Sequence, residues 1–429
     1  MTVLFVCPQS PVIIYSLFCN FLGNDMTKAT SFLLTILFFI TLFVQTTYSS
    51  ADSLPTDLQR PSPNVANKPM VTPSAPNLNA KAYILIDVNS GKIIAEKNSD
   101  EHLPPASLTK MMTLYVISNA LHHDQIHLLD NVRVSRDAWK IGGSRMFIKE
   151  GQQVTVQDLL KGIIVDSGND ACVAMAEHLG GTENAFTDIM NQQAQNLGMS
   201  NSHFTDSTGL PDSSLYTTAK DLAILGRALI NDFPQYYDWY KQKWFTYNGI
   251  RQPNRNRLLW RDNQVDGLKT GHTVDAGFCL VSSAKRDTMR LLAVVLGEPS
   301  DSSRADDSEK LLNYGFRFFE THQLYKNGQS ITQLPLYKGT VDKVTVGLTD
   351  DQYITIPAGQ YQRLYISTKI PSYLQAPIKK GDKIGDLIVQ FDNNVVSTRP
   401  LFALQSVESG GFYTRTKDSI KLAFRSWFG

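Results

Sequence analysis

Gly277-Phe-Cys-Leu-Val-Ser-Ser-Ala284 and Arg290-Leu-Leu-Ala-Val-Val-Leu-Gly297 are two strand-like runs joined by the short link Lys285-Arg-Asp-Thr288. Apolar runs of this length bounded by turn residues read as a β-hairpin. A second hairpin lies upstream, where Ala82–Val88 and Lys92–Ala95 flank the glycine turn Asn89-Ser90-Gly91. Helical periods fill the space between them. Pro104-Pro-Ala-Ser107 opens a long helix whose Met111, Met112, Leu114, Tyr115 and Ile117 give a buried face. Further helical stretches follow around Val156–Val165, Ala171–Leu179, Glu183–Leu197 and Thr218–Ile230, and Ser308–Phe319 closes the region. Strands before and after a helical block predict an antiparallel sheet with helices packed on it, an α+β arrangement.

From about His322 to Glu408 the texture changes. Short β-branched runs (Val341–Val346, Tyr353–Ile356, Arg363–Ile370, Lys383–Val389) alternate with Gly, Pro and Asp turns, which reads as a small all-β domain without a catalytic cluster. The last stretch, Phe412–Gly429, returns to a helical period. Phe412, Tyr413, Ile420, Ala423, Phe424, Trp427 and Phe428 fall on one side, and Arg415, Asp418, Lys421 and Arg425 on the other. Such a helix suits an anionic membrane surface, the alternative being a helix docked on the protein's own β domain.

At the other end, Phe32–Val44 is an uncharged run too short to span a bilayer comfortably. Lys28 precedes it and Tyr48-Ser-Ser-Ala51 follows with small residues, so the expectation is an export signal. No Lys or Arg occurs before Met26, which makes Met26 the expected translation start. Ala51–Asn77 carries six prolines and reads as a flexible lead, with order beginning near Ala80.

A chain of 429 residues suggests two or three folded units, and 42% hydrophobic with 19% charged residues excludes a mostly disordered protein. A net charge of +1 supplies no global field for nucleic acid, so any electrostatic function is local. Of the four cysteines, Cys7 and Cys19 fall in the expected leader; Cys172 and Cys279 have no metal spacing and read as small core residues.

Three short motifs carry chemistry: Ser107-Leu-Thr-Lys110, Ser167-Gly-Asn169 and Lys269-Thr-Gly271. Each alone is weak, since S-x-x-K recurs at Ser282/Lys285 and S-x-N at Ser62/Asn64. On a helix, residues three apart share a face, so Ser107 and Lys110 can touch; on a strand they point to opposite faces, so Ser282 and Lys285 cannot cooperate. A serine hydroxyl needs an adjacent base, and Lys110 can serve only if burial and a nearby positive charge lower its proton affinity. Lys269 is the expected source of that charge. Ser167 can pass a proton to a leaving amine, Asn169 can hold a peptide group, and Gly271 lets a substrate backbone approach the strand, with Lys269 and Thr270 facing a carboxylate. The set reads as acyl transfer through a serine ester.

On these residues the sequence resembles the low-molecular-mass penicillin-binding proteins, the serine D-alanyl-D-alanine carboxypeptidases. The resemblance is carried by Pro104–Lys110, Ser167–Met175 and Asp266–Thr273, supported by Phe245–Gln252 and Gly315–Glu320, and runs from about Ala80 to the C-terminus. It implies a penicillin-binding/β-lactamase-like transpeptidase domain over 80–321, a small all-β domain over 322–408 and a membrane-surface helix over 409–429, after a leader (1–51) and a proline-rich lead (52–79). It implies Ser107 as nucleophile, Lys110 as proton acceptor, Ser167 as relay and Asn169 as substrate contact. Lys269 and Thr270 would bind the terminal carboxylate, with Arg255 of Asn254-Arg-Asn256 near that pocket, and the oxyanion hole would use the N–H groups of Ser107 and His272. Peptidoglycan stem peptides and covalently bound β-lactams are the implied partners, at the periplasmic face of the inner membrane, with no cofactor, metal or nucleic acid.

Two alternatives stand beside a carboxypeptidase: a β-lactamase and a catalytically silent cell-wall scaffold. Glu309-Lys-Leu-Leu-Asn313 mimics a deacylating E-x-x-L-N motif, but it follows K-T-G and its leucines fit a packed helix. His122, His123 and His127 read as a solvated helix end.

Overall fold

Leu291 through Leu296 are all fully buried in the computed structural model, which describes residues 72–428. Leu292, Val294 and Leu296 enter one core, and Leu291, Ala293 and Val295 enter another on the opposite face. A strand covered on both sides reads as a continuous apolar run, each of its larger side chains contributing about 1.5–3 kcal/mol. This strand, Met289–Glu298, is the middle of a five-stranded antiparallel sheet. The order is Ile93–Lys97, Ala82–Asp87, Met289–Glu298, Gly277–Arg286, Val265–Thr273. Helices Lys110–His122, Asn169–Gly180 and Ala219–Asp232 build the first core, and Asp301–Phe318 covers the second face. The expected α+β arrangement is therefore present.

Several elements differ from their expected form. Ser107 does not open an α-helix: Ala106–Thr109 is a 3₁₀ turn and the α-helix begins at Lys110. Ala106 holds a left-handed φ of 48°, which prevents a regular first turn. The expected helix over 156–165 is α-helical only over Val156–Lys161, then widens into a π turn over Gly162–Asp166 and ends on Ser167 at φ 59°. The helix expected from Ser308 begins at Asp301, because Ser300 and Ser303 form a capping box. Order precedes Ala80: Leu78 is buried, the Asn79 N–H donates to Asp307 at 2.9 Å, and the Tyr314 hydroxyl donates to the Pro73 carbonyl at 2.8 Å. The leader, Met26 and the lead up to residue 71 lie outside the described residues.

The helix ends at Phe318, and Phe319–Tyr325 already pairs with Gln352–Pro357. Beyond it lies a six-stranded sheet in the order Leu364–Lys369, Lys383–Phe391, Asn394–Ala403, Lys343–Gly347, Ser330–Tyr337, Leu374–Gln375. Phe319–Tyr325, Ser330–Tyr337 and Asn394–Ala403 were not expected as strands, being polar or interrupted by Pro335 and Pro400. This all-β part meets the α+β part through buried oxygens. The Asp87 carboxylate accepts from the Ser90 N–H (2.7 Å) and hydroxyl (2.8 Å) and from the Thr321 hydroxyl (2.8 Å), and Thr355 closes the ring at 2.6 Å to Ser90 and 2.9 Å to Thr321.

The final helix, Phe412–Phe428, sits on the all-β part by its charged side. Asp418 accepts the Lys338 N–H at 2.6 Å and Arg425 lies 5.2 Å over the Tyr373 ring. Phe412, Tyr413 and Trp427 are at least 80% exposed, and Ile420 and Phe424 also face outward. No helix among the described residues is long and apolar enough to cross a membrane.

Candidate active site

Two serine–lysine pairs form the centre. The Lys110 side chain is fully buried; its Nζ donates to Ser107 Oγ at 2.8 Å and to the Thr208 carbonyl at 2.7 Å. Lys269, 2% exposed, donates from Nζ to Ser167 Oγ at 2.9 Å and to its neighbour's Thr270 carbonyl at 3.0 Å. The helix start supplies the first pair, while the second joins a strand to the strained end of the π turn, a device frequent at functional positions. Two lysines crowding one hydroxyl was the expectation; instead each lysine holds its own serine.

The electrostatics also differ from expectation. Burial pushes Lys110 down to about 8, the Arg255 charge pushes the same way, and Cys172, Asp206 and Asp170 oppose. Lys269 is pushed well below the usual lysine range, first by burial, then by Lys110 and Arg255. Lys110 thus disfavours the charge on Lys269, and Arg255 rather than Lys269 is the cation felt at Lys110. Surroundings that disfavour its charge suit Lys269 to proton transfer more than to anchoring a carboxylate. Arg255 is exposed, and its charge reaches both lysines.

The Val265–Thr273 strand is the last of its sheet, so no further strand pairs with its outer edge, the place where an extended peptide backbone can add. Thr270 is nearly buried, and His272 is exposed with its ring stacked on Phe278 at 3.9 Å. Gly271 has a reason other than the expected one. A Cβ there would stand 2.8 Å from the Pro105 carbonyl and 3.3 Å from the Leu108 nitrogen. The glycine lets the strand press against the turn bearing Ser107. Behind it, Arg304 donates to the Gly271 carbonyl at 3.0 Å.

Asn169, expected to hold a substrate amide, is 4% exposed and donates its side-chain N–H to the Gly142 carbonyl at 2.7 Å. Beside it the Asp170 carboxylate accepts the N–H groups of Met146 (3.0 Å), Phe147 (2.9 Å) and Ile148 (3.2 Å). The two residues staple loop 142–148 to the rim of the site. Cys172 and Cys279 are free and fully buried, and burial pushes Cys172 up to about 12, so it lies as a neutral thiol near both lysines. Glu309 belongs to the Asp301–Phe318 helix and lies 3.6 Å from Arg261. Ser282 is buried on its strand and Lys285 exposed, so that second S-x-x-K stays apart. Sequence reasoning overlooked Thr208, whose carbonyl holds Lys110, and the turn presenting it; Asp206-Ser-Thr-Gly209 has the Asx-turn composition that could have marked it. A cleft of about 560 Å³ opens beside the nucleophile, lined by His102, Ala106, Gly209, Tyr216 and Thr273 among others.

The chain is similar to known proteins over most of its described length. Residues 69–300 match the family D-alanyl-D-alanine carboxypeptidase, and residues 319–409 match the penicillin-binding protein 5 C-terminal domain. The chain is 46% identical over 366 residues to D-alanyl-D-alanine carboxypeptidase DacC of Escherichia coli K12, covering 83% of this chain and 92% of that protein. Penicillin-binding protein 5 from Haemophilus influenzae superposes with a TM-score of 0.75 at 42% identity, over 79% of this chain and all of that one. Penicillin-binding protein D2 from Listeria monocytogenes, solved in its ampicillin-bound form, gives 0.52 at 31% identity over 56% of this chain and 99% of that one. With its serine–lysine pairs set between a helix start and a sheet edge, the chain belongs to the D-alanyl-D-alanine carboxypeptidase family, peptidase S11, and carries a penicillin-binding protein 5 C-terminal domain.

Proposed function

We propose that this protein removes the terminal D-alanine from peptidoglycan stem peptides through an ester on Ser107, and that β-lactams acylate the same hydroxyl. The observation that carries this reading is the Lys110 amine held 2.8 Å from Ser107 Oγ in a fully buried position. The neutral fraction of Lys110 takes the Ser107 proton as Oγ attacks the penultimate carbonyl. Backbone N–H groups of Ser107 and His272 face the developing oxyanion. The proton that Lys110 has taken passes by way of the Ser167 hydroxyl, held by Lys269, to the departing amine; the peptide bond breaks, D-alanine leaves and Lys110 returns to its neutral form. Water then hydrolyses the ester with Lys110 again as base. The strand edge aligns the substrate, and the exposed Arg255 meets its carboxylate.

The β-lactamase reading needs a fast deacylating base, and Glu309 lies on Arg261 instead. A silent scaffold would need neither serine–lysine pair. Purified protein is to be mixed with penicillin and with a D-Ala-D-Ala peptide. A long-lived adduct on Ser107 by mass spectrometry, together with D-alanine release, is expected; rapid penicillin turnover or inertness toward both would reject the reading.

The chain is exported through its leader and held at the periplasmic face of the inner membrane by Phe412–Phe428. The outward aromatic side of that helix and its basic residues Arg415, Lys417, Lys421 and Arg425 support this. Deleting residues 412–429 is expected to release the mature protein into the soluble fraction; continued sedimentation with membranes would reject the anchor.

A further inference from the structure

The base is held by a carbonyl, and that carbonyl is held by a carboxylate. Asp206 Oδ1 accepts from the Thr208 N–H at 2.5 Å, the Thr208 hydroxyl at 2.7 Å and the Gly209 N–H at 2.6 Å. One oxygen thereby winds residues 206–209 into an Asx turn. Ser207 ties the turn down on both sides. Its carbonyl accepts the Thr113 hydroxyl at 2.7 Å from the nucleophile's helix, and its hydroxyl donates to Glu183 at 2.6 Å. Gly209 completes it at φ 81°, directly under the Ala106 carbonyl. Only the Thr208 carbonyl is left pointing inward, and it receives Lys110 Nζ at 2.7 Å.

We propose that Asp206 is a positioning residue for acylation: its carboxylate shapes the 206–209 turn so that the Thr208 carbonyl holds the Lys110 amine against Ser107. The inference rests on the serine-ester reading above. Asp206 touches neither the hydroxyl nor a substrate, so it acts through Thr208. Its charge has a second effect. Burial and Arg255 lower the proton affinity of Lys110, Asp206 and Asp170 raise it, and burial pushes the two other titratable groups beside it, Cys172 and Lys269, toward their neutral forms. Removing the Asp206 charge therefore lowers the proton affinity of Lys110, whereas removing its oxygen frees the Thr208 carbonyl.

The two effects separate with two variants of the full chain. Acylation by a fluorescent penicillin is followed in time from about pH 5 to about pH 10, resolving the saturating rate from the half-saturating concentration. Asp206→Asn keeps an acceptor oxygen in place. It is expected to retain the saturating rate within about threefold and to move the acid limb of the profile about half a pH unit lower, as expected for loss of one nearby screened charge. Asp206→Ala loses the turn, and its saturating rate is expected to fall about 100-fold with little change in the half-saturating concentration. An unmoved acid limb in Asp206→Asn, or wild-type acylation in Asp206→Ala, overturns the proposal. Should Asp206→Ala fail to fold, Asp206→Glu, which keeps the charge but displaces the oxygen from the turn, decides: a similar fall in saturating rate is expected, and wild-type acylation overturns the proposal. Failure of the underlying reading shows differently: the wild-type chain itself would carry no penicillin adduct on Ser107.

Discussion

Asp166, directly before Ser167, has a carboxyl that the chemistry does not use, and its replacement by asparagine gives a pH-dependent stability test. The residue is 2% exposed, and its Oδ1 finds no hydrogen-bond partner. Burial pushes the carboxyl up to about 7 from an ordinary 3.8, Asp170 adds to the rise, and Arg255 opposes it. In the unfolded chain the group ionises near 3.8, but folded it keeps its proton to about 7. Between those values folding takes up a proton, so stability falls as pH rises, and above about 7 the whole deficit is in place. A span of about 3 pH units at about 1.36 kcal/mol each sets a ceiling of about 4 kcal/mol, which local relaxation and water entry reduce to roughly 2 kcal/mol. Asp166→Asn cannot ionise. It should match the parent at about pH 3.5, below both ionisations, and exceed it by roughly 2 kcal/mol at about pH 8.5, measured by urea unfolding followed through tryptophan fluorescence. An equal difference at both pH values, or a parent more stable at the higher one, would refute the buried-carboxyl account.

Gly209→Ala places a Cβ 1.9 Å from the Ala106 carbonyl at a φ of 81°, so the turn must move away. Saturating acylation should drop about 100-fold, read with fluorescent penicillin, and wild-type rates would show that the turn tolerates displacement. Arg255→Ala is expected to raise KM about tenfold for a peptide ending in a carboxylate and to leave an amidated peptide nearly unaffected. Lys269→Ala should instead lower kcat on both by roughly 100-fold or more, since its amine serves Ser167; loss confined to the carboxylate peptide would return the anchoring role to the lysine. Thr321→Val removes one donor from the buried Asp87 carboxylate and should cost about 1–3 kcal/mol of thermal stability, checked by calorimetry.

What the sequence made legible follows the range of the interactions involved. Glu183–Leu197 was readable to the residue because its period, its Thr182 cap and Gly198 are all local signals. The Gly277–Glu298 hairpin was readable because burial on both faces leaves an apolar run. The motif serines and lysines could be named, but their pairing could not: that Lys269 meets Ser167 depends on a strand and a π turn 102 residues apart. The widening of the helix at Gly162 has no compositional mark, and Gly271 revealed its purpose only when the Pro105 carbonyl was seen beside it. Strands such as Asn394–Ala403 carry mixed polar faces and a proline, so periodicity gave no signal. The Asp206 turn had one, but its bond to Lys110 spans 98 residues.

The ring of oxygens joining Asp87, Ser90, Thr321 and Thr355 makes a stiff elbow. Tilting one half of the molecule against the other would break the Thr321–Asp87 and Ser90–Thr355 bonds and leave one oxygen of a buried carboxylate unpaired, a higher barrier than bending at an ordinary exposed linker. With Asp418 clamping the last helix at the foot, the cleft stands at a fixed height over whatever surface the aromatic side rests on, like a blade on a rigid bracket. On the membrane seat proposed above, reach would then select as well as chemistry: stem peptides hanging within that layer would be trimmed before those strung farther out.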